Sequence, residues 1–125
     1  MKTIALDFDG VIHRYSKGWT TPEDVYDPPT DGFKEWLEEA EKTFEIVVVS
    51  SRLSSVAGHR AVRDWLAKHG LERLRTSTDR PPAFLTIDDR ALNFTGNWKD
   101  YPLDILESFQ PWGIREQSDA EGPGV

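Results

Sequence analysis

The stretch IALDFDGVIH, residues 4–13, decides the fold that we expect for this chain. Its first part is a nearly continuous apolar run, which is typical of a short strand buried on both faces of a parallel sheet. Two aspartates, Asp7 and Asp9, follow where the run gives way to Gly10. Carboxylates are costly to hold at the end of a buried strand, so this pair indicates a function rather than a contribution to stability.

Two further strands are predicted, and polar side chains follow each of them. FEIVVVSSR, residues 44–52, is a β-branched run that stops at serine, and the strand Ala83–Ile87 is followed by paired acids. A shorter strand is expected within LERLRTST, residues 71–78. The strand signals therefore recur along the chain, each with chemistry at its carboxyl end.

Helices are expected between the strands. The first would be capped by Thr30 and run to about residue 42, and the second would be capped by Ser54 or Ser55 and end before Gly70. A short third helix is expected near Pro102. Strands that alternate with helices predict a three-layer α/β/α, Rossmann-like fold with a mainly parallel sheet.

Three segments lie outside this alternation. Residues 10–29 lack a helical period, and three aromatic side chains in them favour an ordered irregular loop. Residues 94–102 contain the segment FTGNWKDYP, whose role the pattern does not indicate. Residues 1–114 are predicted to form a single domain, and the polar, glycine-rich residues 115–125 a disordered tail.

Composition excludes several classes of site. The chain has no cysteine, which excludes disulfides and thiolate chemistry, so any metal must be held by oxygen or histidine. A net charge of −7 argues against a general nucleic-acid coat. Residues 51–90 nevertheless carry 8 basic and 5 acidic side chains, and arginines in this region either bind a local anion or form solvated surfaces. Acids interrupt the apolar start of the chain, so we expect a cytoplasmic protein without a membrane partner.

The strand ends are expected to meet. Ligands of open parallel sheets bind beyond the carboxyl ends of the strands, and eight residues follow those ends here: Asp7, Asp9, Ser50, Ser51, Arg52, Asp88, Asp89 and Arg90. Four clustered carboxylates repel one another without a cation, and oxygen ligands favour Mg²⁺. Asp89 has a second interpretation, a hydrogen bond to the backbone of the turn that follows its strand.

Three motifs resemble the haloacid dehalogenase superfamily of hydrolases. DFDGVI is similar to the first motif of that family, IVVVSS to its second and LTIDD to its fourth, in the expected order over residues 3–90. Only 20 residues separate Gly10 from Thr30, and little more than one helix fits between Ser51 and Arg80, so the resemblance is to the small branch without a sizeable cap domain. A two-component receiver domain fits less well, because receivers place the acid pair after the first strand and the phosphorylated aspartate in the middle.

The resemblance implies a Mg²⁺-dependent phosphatase. Asp7 would attack phosphorus and form an aspartyl-phosphate, and Asp9 would be the general acid and base. The metal would lie between the Asp7 carboxylate, the Asp9 backbone carbonyl and Asp88, with Asp89 beside them.

The resemblance also implies phosphate contacts. Ser50, with Ser51 beside it, would hydrogen-bond a phosphate oxygen, and Gly10 would let backbone amides approach the phosphate. The family usually has a lysine before its last motif strand, and none occurs between Lys68 and Asp89. Arg80 is the best-placed cation for that role, the alternative being an ordinary loop arginine.

Local similarity extends to the phosphatase domain of polynucleotide kinase-phosphatases, through SSR with the helix that follows it and through IDDR. Arg52 and Arg90 would then flank the pocket mouth and bind substrate, although Arg90 has an equally weighted interpretation as a salt bridge to a neighbouring acid. His13 is either at the rim of the site or polar surface.

Three hypotheses follow for the function. The first is a phosphatase for a phosphorylated small molecule or nucleotide, and the second is a nucleic-acid 3′-end phosphatase. The third is a catalytically weak phosphate-binding or regulatory module, and the missing lysine is the observation that supports it.

Overall fold

A computed structural model of the chain describes residues 1–114. These residues contain four strands and three α-helices, in the order β1 Lys2–Asp7, α1 Phe33–Ala40, β2 Phe44–Val49, α2 Val56–Lys68, β3 Arg75–Ser77, β4 Leu85–Ile87 and α3 Leu103–Glu107. Short 3₁₀ turns lie at Ser51–Ser54 and Trp98–Asp100. The α/β class is confirmed, and the predicted tail at residues 115–125 lies outside the described residues.

The sheet is parallel throughout its four strands. Its order is β3-β2-β1-β4, so the strand that carries Asp7 is central. β1 pairs with β2 from Lys2 opposite Phe44 to Asp7 opposite Val49, and Leu6 lies opposite Ile87 of β4. The predicted parallel sheet is therefore confirmed, and the carboxyl ends of its strands lie at one edge.

The main hydrophobic core lies on one face of this sheet. Alternate residues of β1 and β2, such as Leu6 and Val48, form one cluster with Leu37 of α1 and with Val62 and Leu66 of α2. The chain steps in the same direction from β1 to β2 and from β2 to β3, and right-handed crossovers place both connecting helices on the same face. This single cluster anchors the strands whose ends carry the polar residues.

The second helical layer of the predicted α/β/α arrangement is not found among the buried elements of residues 1–114. The step from β3 back to β4 runs in the opposite direction, so its connection belongs on the other face, and residues 78–84 contain no helix. α3 comes later and contributes no buried residue. Ala5 and Val47, on the face away from the main cluster, are buried nevertheless.

The helix ends correct one prediction and confirm another. Thr30 does not cap α1, because its hydroxyl donates to the carbonyl of Val11 at 2.7 Å. α1 begins instead after Gly32, whose φ of 81° lies in the left-handed region that glycine adopts readily. Ser55 caps α2 as expected, its Oγ accepting the N–H of Gly58 at 3.0 Å.

Within residues 1–114, no helix combines the length and the apolar character needed to cross a membrane.

Candidate functional site

Three aspartates meet at the carboxyl edge of the sheet. Asp7 ends β1, and Asp88 and Asp89 directly follow β4, which pairs with β1. One carboxylate oxygen from each of the three lies within 4.8 Å of those of the other two. The convergence that the strand ends predict is thus present, and we call Asp7, Asp88 and Asp89 the acidic triad.

Burial and mutual repulsion disfavour charge on the acidic triad. Burial, followed by the charges of Asp88 and Asp89, raises the pKa of Asp7 to about 8. Burial and the charge of Asp88 also raise the pKa of Asp89, while its hydrogen bond to Asp7 lowers it. Asp7 is therefore protonated at neutral pH when no cation is bound.

The chemistry of the triad fits a hard divalent cation. Three partly buried carboxylates whose oxygens lie within 4.8 Å of one another offer oxygen donors only, the set that Mg²⁺ prefers. A cation between them would remove the repulsion that keeps the proton on Asp7.

This electrostatic arrangement predicts that Mg²⁺ stabilises the protein in a pH-dependent way. The pKa of Asp7 is higher in the folded chain than in the unfolded one, so folding without metal binds a proton and stability falls as pH rises from about 4 to about 8. Mg²⁺ must displace that proton below pH 8 and not above it. At a Mg²⁺ concentration about ten times its Kd, we expect the metal to raise the melting temperature by about 5 °C at pH 8.5 and by much less at pH 5.5.

Differential scanning fluorimetry with Mg²⁺ and with Na⁺ at matched ionic strength measures this difference. An equal shift at the two pH values would contradict a triad that exchanges a proton for the metal.

Gly10 is required because Asp89 lies against its Cα. A Cβ at this position would be 2.1 Å from Oδ2 of Asp89, and φ is +84°. The N–H of Gly10 donates to the carbonyl of His13 at 2.8 Å, so in this structure it is not directed at a phosphate. The absence of a side chain at Gly10 therefore makes room for Asp89, and the approach of backbone amides to a phosphate stays a prediction.

Asp9 is held apart from the acidic triad. Its Oδ2 accepts the Nε–H of Arg52 at 2.9 Å, and its Oδ1 accepts the same N–H at 3.2 Å. His13 is the second partner, with Nδ1 2.9 Å from Oδ1 of Asp9. The two aspartates of the DFDG motif therefore have different surroundings, and the Asp9 side chain is not one of the three that lie close enough to hold a metal among residues 1–114.

Hydrogen bonds assign the tautomer of His13. The backbone N–H of Asp27 donates to Nε2 at 3.0 Å, so Nε2 is an acceptor and the ring proton lies on Nδ1, facing Asp9. The side chain of His13 is fully buried and stacks on Phe8. His13 is thus neither rim nor polar surface, as the sequence had suggested, but a buried, neutral donor that orients Asp9.

Arg52 is buried as well, which corrects its predicted place at the pocket mouth. Besides Asp9, it bonds through Nη1 to the carbonyls of Thr21 and Pro22, at 2.8 Å each. Its guanidinium carbon lies 4.8 Å from the ring centre of Trp19. Residues 19–22 of the irregular loop therefore cover Arg52, and Arg52 joins this loop to Asp9.

The remaining predicted cations lie around Asp88. The guanidinium of Arg80 contacts Oδ2 of Asp88, and the backbone N–H of Arg90 donates to Oδ1 at 2.9 Å. The Arg90 side chain is exposed, and its charge is close enough to lower the pKa of Asp89, against the larger effects that raise it. Arg80 therefore lies at the acidic triad. That it replaces the lysine of the family stays a prediction.

Ser50 follows β2 and is buried, whereas Ser51 is exposed. The Oγ of Ser50 accepts the N–H of Arg52 at 3.2 Å, which caps the 3₁₀ turn. A hydroxyl that accepts one bond still has its own proton to donate. Ser50 therefore keeps a donor for an anion at the strand ends.

Comparisons of the chain with protein-family models, with curated proteins and with solved structures found no match.

A cleft of about 410 Å³ opens beside the triad, lined by Gly10, Asp88 and Asp89 together with residues that the sequence did not indicate. One of them is Trp112, whose Nε1 donates to the carbonyl of Gly10 at 2.6 Å. Arg14 is another, with its guanidinium carbon 4.6 Å from the Trp112 ring centre. The hydrogen bond from Trp112 to Gly10 joins residues 102 positions apart, and a single sequence offers no signal for such a contact.

Tyr15 is a further site neighbour that the sequence did not single out. It has a φ of 58°, unusual for a residue with a side chain, and its ring stacks on Tyr26. Burial and the nearby charge of Asp9 raise the pKa of its hydroxyl. The left-handed conformation thus holds an aromatic ring near Asp9.

Proposed function

We propose that this protein is a Mg²⁺-dependent phosphomonoesterase of the haloacid dehalogenase type, acting through an aspartyl-phosphate on Asp7. The observation that carries the proposal is the separation of the two DFDG aspartates. Asp7 belongs to a triad suited to a cation, whereas Asp9 is held outside it by Arg52 and His13. A nucleophile that also holds the cation and a carboxyl that transfers a proton cannot both belong to the metal site, so this separation suits the two roles.

The acidic triad would hold the metal, with the backbone carbonyl of Asp9 as the fourth protein ligand that the family resemblance implies. Bound Mg²⁺ would neutralise negative charge on the transferring phosphoryl group. The high pKa of Asp7 without metal supports this requirement, because a protonated Asp7 has no charge with which to attack.

The proposed reaction has two steps. In the first, an oxygen of Asp7 bonds to phosphorus, the bond to the leaving oxygen breaks, and Asp9 gives that oxygen its proton. In the second, water attacks phosphorus, Asp9 takes a proton from the water, and the bond from Asp7 to phosphorus breaks. Inorganic phosphate leaves, and both carboxyl groups return to their starting state.

The bonds around Asp9 favour one of its oxygens as the proton carrier. Oδ1 already accepts from both His13 and Arg52, whereas Oδ2 accepts only from Arg52. The proton would therefore leave from Oδ2 of Asp9. His13, fixed as a donor by Asp27, would keep the carboxyl in the orientation that this transfer needs.

The charges of the described residues favour a small phosphorylated molecule over a nucleic-acid end. Of the seven arginines in residues 51–90, five contact an acid or a backbone carbonyl of the chain: Arg52, Arg63, Arg73, Arg75 and Arg80. Arginines used in this way leave few cations to follow a polynucleotide backbone.

A phosphate-binding module without turnover is the second candidate. It is favoured by two contacts that catalysis would have to change, the Arg80 guanidinium on Asp88 and the Gly10 N–H on the His13 carbonyl. Calorimetry with a phosphate ester and Mg²⁺ that shows binding and no product would support it.

A phosphate-release screen tests the leading proposal. We expect Mg²⁺-dependent turnover of an aryl phosphate, and faster turnover of nucleotides or sugar phosphates than of 3′-phosphorylated oligonucleotides. The Asp7→Asn variant is the blank, and Mg²⁺ replaced by EDTA is the second control. No turnover of any ester by folded protein in the presence of Mg²⁺ would refute the proposal. A salt-sensitive preference for oligonucleotides would instead identify nucleic-acid ends as the substrate class.

A further inference from the structure

The segment Phe84–Ile114 exposes far more apolar surface than the rest of the described chain. Of the fifteen large hydrophobic side chains that are exposed in residues 1–114, eleven lie in this segment. Leu103 is 80% exposed and Trp98 78%. Single exposed hydrophobic residues are ordinary, but this concentration in one segment is not.

The segment has internal structure. The rings of Phe94 and Trp98 are 4.8 Å apart, and Tyr101 stacks on Phe94. Tyr101 Oη donates to the carbonyl of Asn93 at 2.6 Å and accepts the N–H of Thr95 at 2.7 Å. A segment that is organised by such contacts and still exposes its apolar side chains is suited to contact with another surface.

The two edge strands of the sheet differ in charge, and the uncharged one belongs to the segment with the exposed apolar side chains. β3, at one edge, has the sequence RTS, and a charged side chain of this kind discourages edge pairing. β4, at the other edge, has the sequence LTI and carries no charge or proline. The N–H of Phe84 points to Thr3, so the N–H groups of Leu85 and Ile87 point along the sheet away from β1.

The exposed area is large enough for a stable dimer. Eleven large side chains, each about half exposed and each with roughly 150–250 Å² of surface, present on the order of 1,000 Å². A standard interface buries about 800 Å² on each partner. High apolar content is typical of interfaces between identical subunits.

We propose that the occupant is a second copy of this chain, joined along β4. An antiparallel pairing of β4 with its symmetry mate satisfies the outward N–H groups of Leu85 and Ile87. A two-fold axis at Thr86 makes the contact self-complementary, and the exposed apolar side chains of the same segment would widen it on both chains. The proposal is argued from apolar side chains and a strand edge, so it does not depend on the proposed function of the acidic triad.

Molar mass in solution tests the proposal. We expect light scattering at about 50 µM to give twice the 14.3 kDa of the chain. Leu103→Glu should give single chains, because it places a charge in the interface. Val56→Glu is the matched control, since Val56 and Leu103 are each the first residue of a helix and each 80% exposed. A wild-type protein of single-chain mass overturns the proposal, as does a dimer that Leu103→Glu leaves intact.

Disulfide trapping tests the strand pairing without disturbing the interface. The chain has no cysteine, so a disulfide in a single-cysteine variant must join two copies. Antiparallel partners across a two-fold axis at Thr86 have Cα atoms about 4.5–5.5 Å apart, within the range of a disulfide. We expect Thr86→Cys to crosslink at least tenfold faster than Val56→Cys under mild oxidation. Equal rates overturn pairing along β4, even if the protein is dimeric.

Discussion

Asp7→Asn is expected to abolish phosphate release and, at the same time, to stabilise the metal-free protein. Asparagine keeps the shape of the side chain but has no charge with which to attack phosphorus. Removal of a nucleophile typically costs a factor of about 10⁴ or more in kcat. The stability change has the opposite sign, because asparagine cannot ionise and removes the repulsion within the acidic triad.

The stabilisation should depend on pH. Wild-type Asp7 has a pKa of about 8 when folded and its ordinary value of 3.8 when unfolded, so the wild-type protein loses stability between these values as pH rises. The variant lacks this loss. We expect its melting temperature without metal to exceed that of the wild type by about 5 °C or more at pH 8.5, and by little at pH 4.5.

Activity and thermal melts of the same preparations measure the two effects. Asp64→Asn, on the exposed face of α2, is the matched control and should change neither. An active Asp7→Asn variant would refute Asp7 as the nucleophile. An inactive variant without the pH-dependent stabilisation would instead contradict the electrostatics of the triad.

Arg52→Ala is expected to have the largest effect on stability. The substitution removes a fully buried guanidinium from Asp9 and also from the carbonyls of Thr21 and Pro22. Breaking a buried ion pair on one side costs about 3 kcal/mol or more in the free energy of unfolding. Since Arg52 joins the loop to Asp9, activity should fall as well, and Arg52→Lys should recover only part of both losses.

Urea unfolding compares this variant with Arg60→Ala, which removes an exposed arginine one turn into α2 and should change stability by less than about 0.5 kcal/mol. Equal stability of the two variants would contradict the proposed role of Arg52 in joining the loop to Asp9. The pH profile of kcat/KM separates positioning from folding, because a misplaced general acid alters the alkaline limb whereas a loss of folded protein lowers the whole profile.

The sequence predicted the parts of the site that depend on strand ends. A run of apolar residues that stops at a polar one marks the end of a buried strand, and parallel pairing then brings Asp7, Asp88 and Asp89 together without further information. The caps of α2 follow from equally local chemistry, because Ser55 and Gly70 have conformational preferences of their own.

The parts that failed depend on an irregular loop. Residues 10–29 have no period from which to read burial, so nothing local reveals that His13 and Arg52 are covered. Thr30 has the preferences of a helix cap, but a tertiary bond to Val11 takes its hydroxyl. The second helical layer was inferred from alternation alone, and the connection from β3 to β4 is too short to provide it.

The strand order has a consequence for synthesis of the chain. β1 is made first, yet it is the central strand, and Ile4 pairs with Leu85, 81 residues later. A nascent chain can pair β1 with β2 early, but the pairing with β4 must wait until that strand has left the ribosome. During this interval Asp88 and Asp89 are not beside Asp7, so their charges do not raise its pKa and they cannot join it in binding a metal. The acidic triad is therefore completed only after β4 has been made, when β1, β2 and the helices that pack on them are already available.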